Sequence, residues 1–194
     1  MSNTDPLDAA RLRRFNRQVI DQALALVASH DGPDAPAFNG PVGAHLRHVI
    51  EHYDALLAPR VAGAVDYDQR PRDRELERCH RLARQRLLAI RQRLADDGAD
   101  ALDAPLQVLG RAGLAGDFEF AVISTLGREL VFVGSHAVHH FALLRPHCLQ
   151  HGLVIDPQFG KAPATVAHDA DPLPQRSPAT AAHGCSTLQA LSTH

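Results

Sequence analysis

Four stretches of the chain place their apolar residues on one side of a helix. This spacing predicts helices over residues 8–29, 41–58, 73–96 and 124–150, separated by segments rich in Gly, Pro, Asp and Asn. Between the third and fourth helices, apolar and polar residues alternate briefly in PLQVLGRAGLAGDFEFAVIS, which predicts a small β-hairpin. The pattern as a whole indicates an all-α fold, a four-helix bundle to which the hairpin is added.

The C-terminal part of the chain has a different composition. From residue 166 onward Ala, Pro, Ser, Thr and His dominate, and few large apolar residues are available to build a core. Such a segment is typical of disorder. We therefore expect one bundle domain over residues 1–165 and a disordered tail over residues 166–194.

Charge and hydropathy exclude several classes of function. The net charge is −2, so we expect no nucleic-acid partner. No apolar run approaches the roughly 20 residues of a membrane span, and the N-terminus lacks the apolar core of a signal peptide. The sequence predicts a cytoplasmic protein without a membrane partner, acting on a small molecule, with a homodimer as an open alternative. The three cysteines, Cys79, Cys148 and Cys185, form no CxxC pair, so reduced thiols are expected.

Histidine is the unusual residue of this chain, with 13 occurrences. In GAHLRHVIEHY on the second helix, His45, His48 and His52 are spaced i, i+3 and i+7 and share one helix face. In GSHAVHHFALL on the fourth helix, His136 and His140 are spaced i, i+4, whereas His139 is turned away from His140 by about 100°. Two histidine-bearing faces on two helices of one bundle are well placed to meet.

A divalent metal explains such a meeting economically. Neutral imidazole is a good ligand for several divalent ions, and histidines one helical turn apart can hold one ion. A third histidine from the second helix would complete three nitrogen ligands and leave a position for water or substrate. Spacing alone does not choose among the second-helix histidines. Buried histidines bonded to backbone or carboxylate groups are the other explanation of such pairs.

Two motifs of the chain resemble those of the DinB-like superfamily of metal-binding four-helix bundles, which includes the YfiT-like and mycothiol-dependent isomerase-like proteins. PVGAHLRHVIEHYDALL is similar to its second-helix motif, and SHAVHHFALL is similar to its later His-x-x-x-His motif. STLGRELVFVGSHAVHH and FGKAPAT add to the likeness, which spans about residues 10–165. Pro41 departs from the Ser or Thr cap expected at the start of the first motif.

The resemblance implies a three-histidine metal site whose ligands are His48, His136 and His140. It places His45 and His52 as supporting neighbours and leaves His139 outside the ligand set. Characterised relatives are thiol-dependent transferases or isomerases that use mycothiol, bacillithiol or glutathione. The resemblance does not distinguish Zn, Ni, Fe and Mn as the divalent ion.

The leading expectation is thus a metal-dependent enzyme that activates a low-molecular-weight thiol for transfer to a small electrophile. A metal-dependent hydrolase is one alternative. A non-catalytic metal- or small-ligand-binding bundle with a role in stress response is the other.

Two acidic residues are candidates for supporting the ligands or a bound water. Glu129 lies seven residues before His136 on the same helix face, although a salt bridge with an arginine of the bundle explains it as well. Glu51 follows His48 by three positions and could act as a base or as a supporting group, and partial exposure at a helix edge is the other interpretation. Arg47 and Arg128 could bind an anionic substrate, or could be solvated side chains.

Overall fold

The computed structural model describes residues 6–38, 40–59, 63–95 and 102–171. The chain divides into two compact units, Met1–Ala162 and Pro163–His194. The candidate histidines of the second and fourth helices all lie in the first unit.

Four long helices form the main part of the first unit. Their bounds are α1 Pro6–Ala28, α2 Gly40–Leu57, α3 His80–Ala95 and α4 Leu126–Gln150. Both α1 and α2 pack against both α3 and α4. Their apolar stripes meet in one core, which includes the fully buried Ile20, Ile50, Leu87 and Phe141.

The predicted all-α class is wrong, because a three-stranded mixed sheet belongs to the same unit. Its strands are β1 Ala64–Asp66, β2 Pro105–Ala112 and β3 Phe118–Thr125, in the order β1-β2-β3. The antiparallel pair β2–β3 lies where the sequence predicts a hairpin, and β1 pairs with β2 in parallel. Leu106, Val108 and Val65 turn inward and join the core, so the sheet is an integral layer of the fold.

The third helix begins later than residue 73, where the apolar pattern predicts it. Residues 74–78 form turns and α3 starts at His80. The Asp73 carboxylate accepts a hydrogen bond from the Glu75 amide at 2.9 Å, a local bond that competes with helix formation. Leu76 is nevertheless buried, which explains why it fits the apolar pattern of the helix that follows.

The loop between β1 and the turns is fastened against α2. The Asp66 carboxylate accepts from the backbone amides of Asp68 and Gln69 at 2.9 and 3.1 Å. At the other end of the loop, the Asp73 amide donates to Glu51 of α2 at 2.8 Å. These bonds hold residues 67–72 beside the histidine face of α2.

In the second unit, the structure describes one short helix, α5 Pro163–Ala170, which has no buried residue. The part of the predicted tail from residue 172 onward, including Cys185, lies outside the described residues. Among the described helices, none combines the length and the apolar character needed to cross a membrane.

Candidate metal centre

Three histidines from two helices bring their ring nitrogens together. His48 of α2 places Nε2 2.8 Å from Nε2 of His136, and His140 Nε2 lies 3.2 Å from the same atom. One ligand nitrogen from each of the three rings falls within 4.8 Å of the other two. These are the three residues that the resemblance implies as metal ligands.

The helices set this convergence. On α2 the core is formed by Leu46, Val49, Ile50 and Tyr53, which leaves His48 on the side that faces α4. On α4 the buried Val133, Ala137 and Phe141 similarly leave His136 and His140 one turn apart on the side that faces α2. Thr125 caps α4 by accepting from the Arg128 amide at 3.2 Å, which fixes where this helix begins.

The imidazoles of the cluster are held neutral. Burial lowers the pKa of His48 to about 2, and the nearby His52, His140 and Arg70 act in the same direction. Burial and His136 lower the pKa of His140 to about 4, and burial also lowers the pKa of His136. A neutral imidazole keeps one nitrogen lone pair, so the cluster can coordinate a cation at neutral pH.

His45 lies against the outer ring nitrogen of His140. Its Nδ1 lies 2.6 Å from Nδ1 of His140, the ring nitrogen that points away from the convergence. A metal-binding histidine usually donates its second ring N–H to an acceptor that fixes the orientation of the ring, and Nδ1 of a neutral His45 can accept here. His45 can therefore hold the His140 ring in place.

The remaining two histidines have different roles. His52 is buried, and its Nδ1 lies 2.7 Å from the carbonyl oxygen of His48, to which it can donate. Burial lowers the pKa of His52 to about 4, although the bond to His48 acts against this shift. His139 is exposed and meets His140 only edge to face, with the ring centroids 5.8 Å apart.

Arg70 is the cation nearest to the cluster, and the sequence analysis did not identify it. Its NH1 lies 2.9 Å from Nδ1 of His48 and 3.1 Å from Nδ1 of His52. Its Nε donates to the carbonyl oxygen of Tyr67. Arg70 lies in a loop, where no periodicity marks it, and only the fold of that loop brings it to α2.

Among the described residues, neither of the candidate acids has a hydrogen bond or an ion pair with a histidine ring. Glu129 is 1% exposed and accepts hydrogen bonds from Tyr67 at 2.8 Å, Ser124 at 2.6 Å and Arg128 at 2.9 Å. It acts on the cluster indirectly, because the Tyr67 ring that it holds stacks on His52 with the centroids 5.5 Å apart. Glu51 is buried as well, not partly exposed, and one of its oxygens accepts from the Asp73 amide.

The two candidate arginines are both paired. Arg47 forms an ion pair with Glu77 at 3.0 Å, and Arg128 forms the ion pair with Glu129. The Arg128 guanidinium also lies 5.4 Å above the ring of Phe132, within the range of a cation–π contact.

A cavity of about 560 Å³ borders the cluster. Its walls come from β2, β3 and the first turns of α4, and His52 lies at the boundary between the cavity and the cluster. Phe132 forms part of the same wall, and its ring stacks on His136 at 5.5 Å with an angle of 16°. The walls combine apolar side chains such as Val108 and Phe120 with the charged Asp68, Arg111, Arg128 and Glu129, and a space of this size suits a small organic molecule.

The donor set fits a divalent metal ion. Two imidazole nitrogens bound to one ion at about 2.1 Å in tetrahedral geometry lie about 3.4 Å apart, so a small outward shift of the rings from the observed 2.8 and 3.2 Å would admit an ion. The three donors are neutral nitrogens, the type that zinc, nickel and iron accept, and hard oxygen ligands are absent from the described triad. Three protein ligands leave a coordination position for a further molecule.

Comparison with known proteins adds one partial likeness. The chain is 29% identical over 119 residues to FK506-binding protein 5 of Rhizopus delemar, a match that covers 61% of this chain and 31% of that protein. The chain thus spans about a third of the length of this curated relative. No family model matches the chain, and no solved structure matches it. The DinB-like resemblance therefore stays a prediction.

Proposed function

We propose that this protein binds a divalent metal ion through His48, His136 and His140 and activates a low-molecular-weight thiol for transfer to a small electrophile. The observation that carries the proposal is the convergence of three neutral imidazole nitrogens, with His136 Nε2 2.8 and 3.2 Å from the other two. The likeness of the two histidine motifs to DinB-like proteins supports the same site.

The ion would lower the pKa of a thiol at the remaining coordination position, which yields a nucleophile at neutral pH. The residues of the chain perform the other tasks. His45 orients the ring of His140, and Glu129 holds Tyr67 against His52. We propose that the protein acts in the cytoplasm, where low-molecular-weight thiols are kept reduced.

The cavity beside the cluster favours a catalytic function over storage of the ion alone. It borders His52 and reaches Phe132, which stacks on the ligand His136. A small electrophile in this space would lie against His52 and Phe132, whose rings pack on the ligands His48 and His136.

Metal content tests the site directly. Protein purified without a histidine tag, loaded in turn with Zn, Ni, Fe or Mn and then dialysed, should retain about one ion per chain. His48→Ala and His140→Ala should lose this ion, because two imidazoles bind far more weakly than three. His139→Ala is the matched control and should retain it. Equal metal content in all four proteins would contradict the proposed ligand set.

Turnover tests the thiol-transfer part. In the metal-loaded protein, glutathione, bacillithiol or mycothiol should displace chloride from chlorodinitrobenzene, forming a sulfur–carbon bond and releasing the thiol proton to the buffer. His48→Ala should lose this activity and His139→Ala should keep it. Hydrolysis of an ester without any thiol requirement would favour the hydrolase, and inactivity with every substrate would favour a binding protein.

A further inference from the structure

Arg70 fixes the position of the proton on His48. An arginine guanidinium donates hydrogen bonds and cannot accept them. Its NH1 lies 2.9 Å from Nδ1 of His48, so this ring nitrogen must be the acceptor. In the neutral ring the proton is then on Nε2, which lies 2.8 Å from Nε2 of His136.

Arg70 donates to His48 and not to His52, although both rings lie near its guanidinium. His52 Nδ1 lies 3.1 Å from Arg70 NH1, but it lies only 2.7 Å from the carbonyl oxygen of His48. A carbonyl can only accept, so His52 Nδ1 carries a proton and cannot accept from Arg70 as well.

This arrangement opposes coordination of a metal by His48. A metal ion bound at Nε2 requires the lone pair there, which moves the proton to Nδ1. That proton would then face a guanidinium that offers only further protons. Metal-bound histidines normally donate this N–H to a carboxylate, a carbonyl or a water. The guanidinium must therefore move away from His48 before His48 can bind an ion through Nε2.

Glu51 provides an alternative acceptor for the Arg70 guanidinium. Its Oε2 is buried, has no hydrogen-bond partner among the described residues, and lies 4.0 Å from Arg70 NH1. An unpartnered buried carboxylate oxygen is costly. A shift of the guanidinium by about 1 Å would bring it within the range of a charge-assisted hydrogen bond to this oxygen.

We propose that Arg70 is a positioning residue that holds His48 in the tautomer unable to bind a metal, and that metal loading transfers the Arg70 guanidinium from His48 to Glu51. This inference rests on the proposed metal site and adds a residue that sets its affinity. Glu51 serves as the acceptor for Arg70 in the loaded state and has no hydrogen bond to a ligand histidine among the described residues.

Calorimetric titration with zinc alone, and with nickel alone, tests the inference in metal-free protein. Arg70→Gln should bind the ion more tightly, on the order of tenfold, because the glutamine can accept from His48 Nδ1. Glu51→Gln should bind it more weakly, because the displaced arginine loses its carboxylate. In the double variant the effect of Glu51→Gln should disappear, since no guanidinium remains to be received.

Arg145→Gln is the matched control, because Arg145 is similarly half-buried and bonds only to Pro157 and Phe159 carbonyl oxygens. It should leave the affinity unchanged. Affinity that falls or stays constant in Arg70→Gln would overturn the inference. Additive effects of the two substitutions would also overturn it, because they indicate general charge effects and no transfer.

Nitrogen-15 NMR of the imidazoles gives a readout that requires neither metal nor turnover. In the metal-free protein, His48 should carry its proton on Nε2, and Arg70→Gln should increase the population with the proton on Nδ1. A proton on Nδ1 of His48 in the unsubstituted protein would overturn the inference by itself. If no variant binds metal, the proposed function fails and the inference fails with it. If the metal binds but Arg70→Gln gains nothing, the inference alone fails.

Discussion

Each ring nitrogen in the cluster is distinguished by what lies opposite it. His140 shows this most simply, because its Nε2 faces His136 at 3.2 Å and its Nδ1 faces His45 at 2.6 Å. A metal-bound His140 would donate its Nδ1 proton to His45. His48 differs, because its Nδ1 faces the guanidinium of Arg70 and not a second imidazole. The outer ring nitrogens of His48 and His140 therefore have different neighbours.

This contrast predicts a specific effect of His45. His45→Leu should weaken metal binding about tenfold, because the second ring N–H of His140 loses its acceptor. His45→Gln should restore most of the affinity through its side-chain oxygen. Competition against a chromogenic chelator measures both variants, with His139→Leu as the exposed control. Equal affinity in His45→Leu and the unsubstituted protein would contradict the supporting role.

At the scale of elements, the cluster depends on how closely the turns after β1 approach α2. Gly43 of α2 permits this approach, because a Cβ at this position would lie 2.0 Å from the backbone oxygen of Glu77. Asp73, whose amide bonds to Glu51, directly precedes these turns. A side chain at position 43 would therefore separate the loop that carries Arg70 from the histidine face.

Gly43→Ala should destabilise the protein by about 1 to 3 kcal/mol, because backbone must shift to admit the methyl group. This outcome is opposite to the gain of up to about 1 kcal/mol expected for Gly→Ala in an unobstructed helix. Urea denaturation provides the measurement. Gly134→Ala should cost less, since its nearest neighbour is the Phe15 side chain at 2.7 Å, which can move. A Gly43→Ala protein of unchanged stability would show that the approach is not tight.

The four helices were predictable because their apolar stripes repeat over many turns. The sheet was predictable only in part. Alternating residues mark β2 and β3, but β1 has three residues and pairs with β2 at positions about 43 residues further along the chain. Such a pairing leaves no local pattern, and the all-α prediction failed for that reason.

At the scale of the whole molecule, some residues of the site were predictable from the sequence and others were not. His136 and His140 were predicted as a pair from helical spacing and His48 from the family resemblance, because both kinds of evidence are present in local sequence. Arg70 and Tyr67 reach the cluster through a loop whose course depends on Asp66, Glu51 and Gly43 together. Their positions are set by tertiary contacts, which a single sequence does not display.

The cluster also makes the stability of the metal-free protein depend on pH. The pKa of His48 is lowered to about 2 and those of His52 and His140 to about 4, whereas in the unfolded chain each is near 6.5. Between about pH 6.5 and 4 the unfolded chain therefore binds more protons than the folded protein. Stability should fall as the pH falls through this interval.

Thermal denaturation at a series of pH values measures this dependence. The double variant His48→Gln/His140→Gln should show a flatter profile over the same interval, because two of the imidazoles that resist protonation are gone. His151→Gln, an exposed substitution outside the cluster, is the control. A double variant with an unchanged slope would mean that these rings do not titrate differently in the folded and unfolded states.

Anomalous X-ray diffraction from crystals of the untagged, metal-loaded protein locates the ion directly. We expect one strong peak in the first unit, about 2.1 Å from Nε2 of His48, His136 and His140. The rival location is the His147–His151 pair, whose ring centroids are 4.1 Å apart on the surface of α4 and the residue that follows it. A peak at that pair, or none at the three histidines, would contradict the proposed metal site.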